Sequence, residues 1–363
     1  MQAAMKKIKA LVVDDSAYNR MTITKMLERD PGIEVVGVAG DGIDAITKTL
    51  RLQPDVITLD LEMPTMDGFT FLRWLMKERP TPVLVLSSRS DSLSVFRAME
   101  LGAVDFLGKP EARISRSIEG VREELVAKVY AVLHLKMSKV QSAMDLLAKD
   151  LDPQPAPRED DVLQERGPID VVAIASSTGG PPALQAILTA LPRRFGAGIV
   201  ISQHMPPGFT KSFADRLNKL SAFMVSEAEA GDRILPGRAL ITPGGYHLLL
   251  RKEGANLVVE LVPRVPEDRY VPSADRMMVS VANACGPAAL GVVLTGMGRD
   301  GAEGAVAIKK QGGQCLAESE ESAVVFGMPQ EAIRTGAVDK VLPLGMMADE
   351  ILRRCNRRRT GPA

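Results

Sequence analysis

Ile8-Lys9-Ala10-Leu11-Val12-Val13-Asp14-Asp15-Ser16 is a short apolar run that ends on two carboxylates. A run this short, rich in β-branched residues and apolar at almost every position, fits a strand covered on both faces, as in a parallel sheet. Working outward, the same kind of run recurs at residues 33–38, 56–59, 83–86 and 104–107. Amphipathic stretches separate the runs, for example at residues 18–27 and 68–77. Five such units predict a doubly wound α/β domain. The crevice of such a domain lies at the carboxyl ends of its strands. That rule gathers Asp14, Asp15, Asp60, Ser87 and Lys109, each at or just after a strand end.

Three carboxylates in one crevice repel one another, and a divalent cation relieves the repulsion. Mg²⁺ takes hard oxygen ligands and pairs with phosphate. A carboxylate can also attack a phosphoryl group and become an aspartyl phosphate. Asp60 ends the central run Val56-Ile57-Thr58-Leu59-Asp60 and is the candidate nucleophile. Asp14 and Asp15 are candidate metal ligands, while Ser87 and Lys109 are placed to neutralise phosphoryl oxygens. Singly these features are weak, since an Asp pair after a strand is commonly a helix cap and a Lys-Pro commonly a solvated loop. Their weight comes from standing at different strand ends in one order.

With those residues in place, residues 8–110 resemble a response-regulator receiver domain of the flavodoxin-like, doubly wound kind. The segments Val12-Val13-Asp14-Asp15-Ser16, Asp60-Leu61-Glu62-Met63-Pro64-Thr65-Met66-Asp67-Gly68, Leu86-Ser87-Ser88 and Gly108-Lys109-Pro110 carry the resemblance. It implies phosphorylation of Asp60 from a histidine-kinase phosphohistidine, with Asp15, Asp60 and the Glu62 carbonyl on Mg²⁺. It also puts Phe106 at an aromatic switch position, although Phe106 reads equally well as plain core.

Residues 113–149 read as helical, with Ile118, Val121, Leu125, Val129, Val132 and Leu133 on one face. Residues 150–168 turn polar, acidic and proline-bearing around Asp152-Pro153-Gln154-Pro155-Ala156-Pro157, which is the composition of an extended linker. A second α/β pattern then starts. Strands are expected at 169–175, 199–202 and 289–294, helices at 183–190, 210–220 and 302–310, and a hairpin at 246–251 and 257–262. The boundaries predicted are a receiver over residues 5–130, a connecting segment over 131–167 and a second domain over 168–357.

Ser177 stands in a small, glycine-rich turn, Ser176-Ser177-Thr178-Gly179-Gly180-Pro181, between a strand and a helix. Such a turn frees backbone amides at a helix N-terminus. It suits an activated serine, an N-cap or a phosphate cradle about equally. His204, one of only three histidines, follows another strand end and shifts the balance. A serine nucleophile needs a base of near-neutral pKa, and that base needs a carboxylate to set its tautomer. Asp300, in the glycine-flanked turn after the strand at 289–294, is the candidate. The order Ser, His, Asp and the lack of a GxSxG elbow exclude an ordinary α/β-hydrolase.

Residues 168–355 resemble the catalytic domain of the chemotaxis protein-glutamate methylesterases. The matching blocks are Ala175-Ser176-Ser177-Thr178-Gly179-Gly180-Pro181, Ser202-Gln203-His204-Met205-Pro206-Pro207-Gly208-Phe209-Thr210, Tyr270-Val271-Pro272-Ser273-Ala274-Asp275 and Leu294-Thr295-Gly296-Met297-Gly298-Arg299-Asp300-Gly301. The resemblance implies a mostly parallel α/β domain in which Ser177 is the nucleophile, His204 the base and Asp300 the orienting carboxylate. It also gives the Met297 backbone a share in the oxyanion hole. Thr178 lies beside the nucleophile, in a position to assist its hydrogen bonding. Ser176 replaces a residue that is often alanine, which raises the prospect of a competing hydroxyl. Arg299 stands where asparagine is also common. His134 and His247 are expected to be structural or exposed.

The substrate so implied is a glutamate γ-methyl ester on the cytoplasmic helices of methylated chemoreceptors, with receptor glutamine deamidation a further expectation. In the family the receiver covers the catalytic cleft and phosphorylation loosens the cover, a coupling of the kind typically worth ~1–3 kcal/mol. Two other classes compete: a phospho-switched binding module without catalysis, and a DNA-binding regulator.

Composition bears on those alternatives. Lys plus Arg and Asp plus Glu both number 45, so net charge is zero and bulk attraction to nucleic acid or anionic lipid is not expected. The one basic cluster, Arg353, Arg354, Arg357, Arg358 and Arg359, reads as a solvated helix end and tail. Cys285, Cys315 and Cys355 are odd in number and far apart, which suggests neither disulfides nor zinc and fits a reduced cytosolic compartment. No apolar stretch reaches the ~20 residues of a membrane span, and the N-terminal run is too short for a signal peptide. Membrane insertion is not expected, and localisation is expected to be cytoplasmic.

Overall fold

The computed structural model describes residues 6–88, 92–109, 115–133, 135–149 and 169–356. They fall into two compact units that divide between Met144 and Asp145.

In the first unit, β1 (Ile8–Val13), β2 (Ile33–Ala39), β3 (Val56–Leu59), β4 (Val83–Ser87) and β5 (Asp105–Gly108) form a parallel sheet in the order β2-β1-β3-β4-β5. Every residue of β3 is buried, Thr58 with its three apolar neighbours, as expected of a central strand covered on both faces. The helices start where the sequence supplies caps. Ser16 accepts the Asn19 amide at the head of α1 (Ala17–Glu28), Asp41 that of Asp44 at α2 (Gly42–Leu52), and Asp67 that of Thr70 at α3 (Gly68–Glu78). α4 (Ser92–Glu100) and α5 (Ser115–Val132) follow in the same unit. Strand order reverses between β1 and β3, so the crevice opens where Asp14 and Asp60 leave the sheet.

The single helical stretch expected over 113–149 is two helices, α5 and α6 (Met137–Lys149). The Leu133 amide bonds the Tyr130 carbonyl and the Leu135 amide the Val132 carbonyl, closing α5 in a tight turn. No glycine or proline marks that break, so periodicity alone runs through it. His134, the linker residues 150–168 and Arg357 to Arg359 lie outside the described residues.

The second unit is built on seven strands in the order β14-β13-β12-β6-β7-β9-β8, and every pairing among them is parallel. The strands are β6 (Val171–Ser176), β7 (Gly198–Gln203), β8 (Met224–Glu227), β9 (Arg238–Ile241), β12 (Ala289–Val293), β13 (Gln314–Glu318) and β14 (Lys340–Leu342). The chain builds outward from β6 through β7, then returns to β12 on the other side, making β6/β12 the switch point. β10 (Tyr246–Glu253) and β11 (Asn256–Pro263) pair antiparallel as a separate hairpin. The helices are α7 (Gly180–Ala190), α8 (Thr210–Leu220), α9 (Ala274–Cys285), α10 (Ala302–Lys310), α11 (Met328–Arg334) and α12 (Met347–Asn356). Met277 and Val281 of α9 share one core with Leu248 of β10, Val259 of β11 and Val171 and Val293 of the sheet. Each such side chain contributes about 1.5–3 kcal/mol by leaving water.

Candidate active site

Ser177 follows β6 directly, and only 8% of it is exposed. Its amide donates to the Thr295 carbonyl (3.0 Å), and its carbonyl accepts the Gly180 amide (2.8 Å), closing the turn into α7. Glycine is required in that turn. Gly179 has φ +77°, and a Cβ at Gly180 would lie 2.1 Å from Gln203 Oε1. Pro181 sits in the first turn of α7, where its missing N–H costs nothing.

His204 follows β7, and its amide donates to the Ser176 carbonyl (3.1 Å). Its Nδ1 lies 3.1 Å from Ser177 Oγ and its Nε2 lies 2.8 Å from Asp300 Oδ2. With Asp300 ionised, the proton belongs on Nε2, which leaves a lone pair on Nδ1 facing the serine hydroxyl. Tyr270 lies flat against the imidazole, with ring centroids 5.0 Å apart and planes 7° apart.

Asp300 is buried and receives four hydrogen bonds. They come from His204, from the amides of Ala274 (2.7 Å) and Asp275 (2.8 Å), and from Ser273 Oγ (3.1 Å). Burial opposes its ionisation. The bonds from His204 and from the α9 amides outweigh burial and hold the carboxyl below its ordinary value. Ser177, His204 and Asp300, expected to converge from the ends of separate strands, therefore do so beside the β6/β12 switch point.

The turn after β12 packs directly on the serine. A Cβ at Gly296 would lie 2.8 Å from Ser177 Cβ and 3.1 Å from its amide nitrogen. The Gly296 carbonyl accepts the amides of Gly327 (3.1 Å) and Met328 (2.8 Å), and its own amide donates to Val325 (2.9 Å). Met297 thus follows a pinned residue and precedes Gly298, whose φ is +87°. Thr178 is buried, and its carbonyl accepts Thr295 Oγ1 (2.9 Å).

Several contributors were not assigned roles from sequence. Gln203 donates from Nε2 to the carbonyls of Ser177 and His204 (3.0 Å each), which joins the two turns. Its Oε1 accepts Ser176 Oγ (2.7 Å), so the Ser176 hydroxyl is occupied in the core rather than competing for the base. Ser273, Ala274 and Asp275 begin α9 and hold Asp300. An N-cap serine before a helical run was the available signal. Arg353 and Arg354 both pair with Glu350, and Arg354 also reaches Gln314, so these two arginines are tied down in α12. Cys285, Cys315 and Cys355 are free thiols, each pushed up to about 12 by burial.

In the first unit, carboxylate oxygens of Asp14, Asp15 and Asp60 all lie within 4.8 Å of one another. Asp14 and Asp60 are buried and Asp15 is exposed. Lys109 Nζ lies 2.5 Å from Asp60 Oδ2 and 3.1 Å from Asp14 Oδ2. Burial pushes the Asp60 carboxyl up, aided by the neighbouring charge of Asp14 and opposed by Lys109. Lys109 loses solvation on burial, yet Asp60 and Asp14 raise its pKa and keep it charged. One ammonium does not neutralise three carboxylates, so this oxygen-only cluster fits a hard divalent cation of the Mg²⁺ type. The Glu62 amide faces Asp60 Oδ1 at 3.4 Å. Ser87 is buried at the end of β4, and its carbonyl accepts the Lys109 amide (2.8 Å). Phe106 is buried in β5, edge-on to Phe96 at 6.1 Å.

Two family signatures match the chain: "CheB methylesterase" over residues 172–351 and "Response regulator receiver domain" over residues 10–118. A protein-glutamate methylesterase/protein-glutamine glutaminase of Geobacter sulfurreducens is 50% identical, covering 97% of this chain and 98% of that protein. One from Myxococcus xanthus is 47% identical over the same shares. The crystal structure of the Thermotoga maritima CheB methylesterase catalytic domain matches with a TM-score of 0.50 and 40% identity, covering 51% of this chain and 98% of that one.

Proposed function

The chain belongs to the CheB methylesterase family, with a response-regulator receiver domain ahead of the esterase domain, and from that premise we propose that it hydrolyses glutamate γ-methyl esters on the cytoplasmic helices of methylated chemoreceptors. The observation that carries this reading is the hydrogen-bonded series Ser177, His204, Asp300.

In the proposed reaction Ser177 Oγ attacks the ester carbonyl while His204 Nδ1 takes its proton. The resulting imidazolium is stabilised by the Asp300 carboxylate, and the oxyanion by backbone donors that include the Met297 amide. Collapse passes the proton from His204 to the departing methoxide, releasing methanol and leaving an acyl-serine. Water, deprotonated by the same nitrogen, then hydrolyses the acyl-serine to glutamate and restores Ser177. Attack on a receptor glutamine follows the same course with ammonia leaving, and the paired activities in the relatives' names support this second substrate. Thr178 borders the nucleophile and assists its hydrogen bonding.

Control is assigned to the receiver. A histidine kinase supplies the phosphoryl group to Asp60, and Asp14, Asp15, Asp60 and the Glu62 carbonyl are the groups that would hold Mg²⁺. Bound there, the cation neutralises charge on the transferring group. Ser87 and Lys109 bind phosphoryl oxygens, and Phe106 is the switch aromatic. The functional boundaries proposed are 5–130 for the receiver, 131–167 for the connection and 168–357 for the catalytic domain. No described helix is long and apolar enough to cross a membrane, and the reaction is placed in the cytoplasm, where its substrate helices lie.

Mass spectrometry of methylated receptor, incubated with and without the protein and a small phosphodonor, tests the proposal. A mass loss of one CH₂ per site, faster with the phosphodonor, is expected. Unchanged receptor masses under all conditions would rule the reading out.

A further inference from the structure

A second acid–imidazole pair stands behind the first. His247, on β10, is fully buried. Its Nδ1 accepts the Ser273 amide at 3.1 Å. An acceptor nitrogen carries no proton, so the ring proton is on Nε2, which lies 2.9 Å from Asp268 Oδ2. Asp268 is fixed in turn by the Val265 amide (2.7 Å) and the Arg276 guanidinium (3.1 Å). The Val265 amide and then His247 hold its carboxyl below the ordinary value.

The first turn of α9 connects this pair to Asp300. Each of its orphan amides has its own acceptor. Ser273 N–H goes to His247, Ala274 and Asp275 N–H to Asp300, and Arg276 N–H to Ser273 Oγ (3.3 Å). Ser273 Oγ donates its own proton to Asp300 Oδ1. A displacement of this turn relative to Asp300 would therefore cost the buried Ser273–His247 bond as well. The carboxylate that sets the tautomer of His204 is thus held by a turn that His247 holds.

We propose that His247, oriented by Asp268, is a positioning residue of the esterase reaction, fixing the first turn of α9 so that Asp300 meets His204 Nε2 in hydrogen-bonding register. The proposal rests on the hydrolase reading of Ser177, His204 and Asp300. His247 touches no reacting atom, and its effect passes through Ser273 to Asp300.

The test compares His247→Leu with His247→Asn in the full chain. The two replacements have the same branched shape, but only Asn offers an acceptor at the δ position. Hydrolysis of methylated receptor by His247→Leu is expected to lose kcat by about tenfold to a hundredfold, with KM unchanged within about twofold. His247→Asn is expected to recover most of the loss. The proton that His204 shares with Asp300, identified in the ¹H NMR spectrum by its loss in His204→Gln, should move in His247→Leu and stay in His247→Asn. Equal kcat in both variants, or an unmoved proton in His247→Leu, overturns the proposal. If His247→Leu does not fold, Asp268→Ala replaces it, with the same shift expected and an unmoved proton again decisive against. Retained hydrolysis in Ser177→Ala would sink the hydrolase reading instead, while the proton signal still judges the relay.

Discussion

Asp275 and Asp300 cap each other's helices. Asp300, one residue before the Gly301 cap of α10, accepts the amides of Ala274 and Asp275 at the head of α9. Asp275 accepts the amides of Gly301 (2.9 Å) and Gly304 (2.7 Å) at the head of α10. The exchange satisfies orphan donors at two helix ends and locks the catalytic turn to α9. The two carboxyls nevertheless differ in acidity, although the amides of Gly301 and Gly304 act to lower Asp275. Burial, joined by the charges of Asp300 and Glu303, pushes Asp275 up to about 6, while Asp300 stays low.

That split gives a pH signature. Between pH 3.8 and about 6 the native state binds more protons at Asp275 than the unfolded chain does, so its contribution to stability falls as pH rises through that window. Asp275→Asn keeps an acceptor for Gly301 and Gly304 but removes the titration. Relative to wild type, the variant should gain stability from pH 4 to pH 7, by on the order of 1 kcal/mol once partial solvent access is allowed for. Urea unfolding at the two pH values measures the gain. A stability difference that stays flat with pH would contradict the assignment.

Asp300→Asn should fold and yet lose hydrolysis by about 10⁴-fold in kcat, because an amide NH₂ facing Nε2 drives the His204 proton onto Nδ1 and removes the base from Ser177. Ester turnover by the purified full chain checks this. A loss below about tenfold would mean that Asp300 does not set the tautomer.

Gly180→Ala places a methyl group 2.1 Å from Gln203 Oε1 and 2.9 Å from Ser176 Cβ. Both are buried, so the change should destabilise by about 1–3 kcal/mol and depress turnover by shifting the Ser177 turn. Gly196→Ala, which meets nothing within 4 Å, is the control and should stay within about 0.5 kcal/mol. Thermal melts of the two variants are a direct comparison.

Ser176→Ala leaves Gln203 Oε1 without its donor and should cost about 1–3 kcal/mol of stability. Because the Ser176 hydroxyl is committed to Gln203, it cannot replace the nucleophile. Residual hydrolysis in Ser177→Ala should be unchanged when Ser176→Ala is added, and a further drop in the double variant would show that Ser176 substitutes.

Asp60→Asn should abolish both labelling by a phosphodonor and the rise in hydrolysis that the phosphodonor causes, and chelation of divalent cations should do the same to wild type. Phosphodonor stimulation that survives the substitution would place control elsewhere.

The two sheets were readable because their strands are short, apolar and ended by chemistry-bearing residues. Strands β1 and β3 and helices α8 and α10 lie where the residue pattern puts them. β8, β9, β13, β14 and the α9 helix were not anticipated. β8 keeps half-exposed positions and β14 is three residues long, while α9 is amphipathic, with Met277, Met278 and Val281 buried opposite Arg276, Ser280 and Asn283, so its periodicity was readable and was overlooked. The break between α5 and α6 carries no glycine or proline and was missed for lack of a local signal.

What the chain by itself determined was the repertoire: the strands that carry the sites, which residues stand at their ends, and hence which alcohol, imidazole and carboxylates were available. Those are local properties, written in side-chain type and spacing. Only the tertiary structure decided which imidazole nitrogen faces Ser177, that Gln203 ties the serine and histidine turns together, and that Asp275 and His247 hold the turn that holds Asp300. Each is a hydrogen bond between residues 25 or more positions apart, except the link from Gln203 to the adjacent His204. Such bonds depend on strand order and helix packing, which local sequence does not encode.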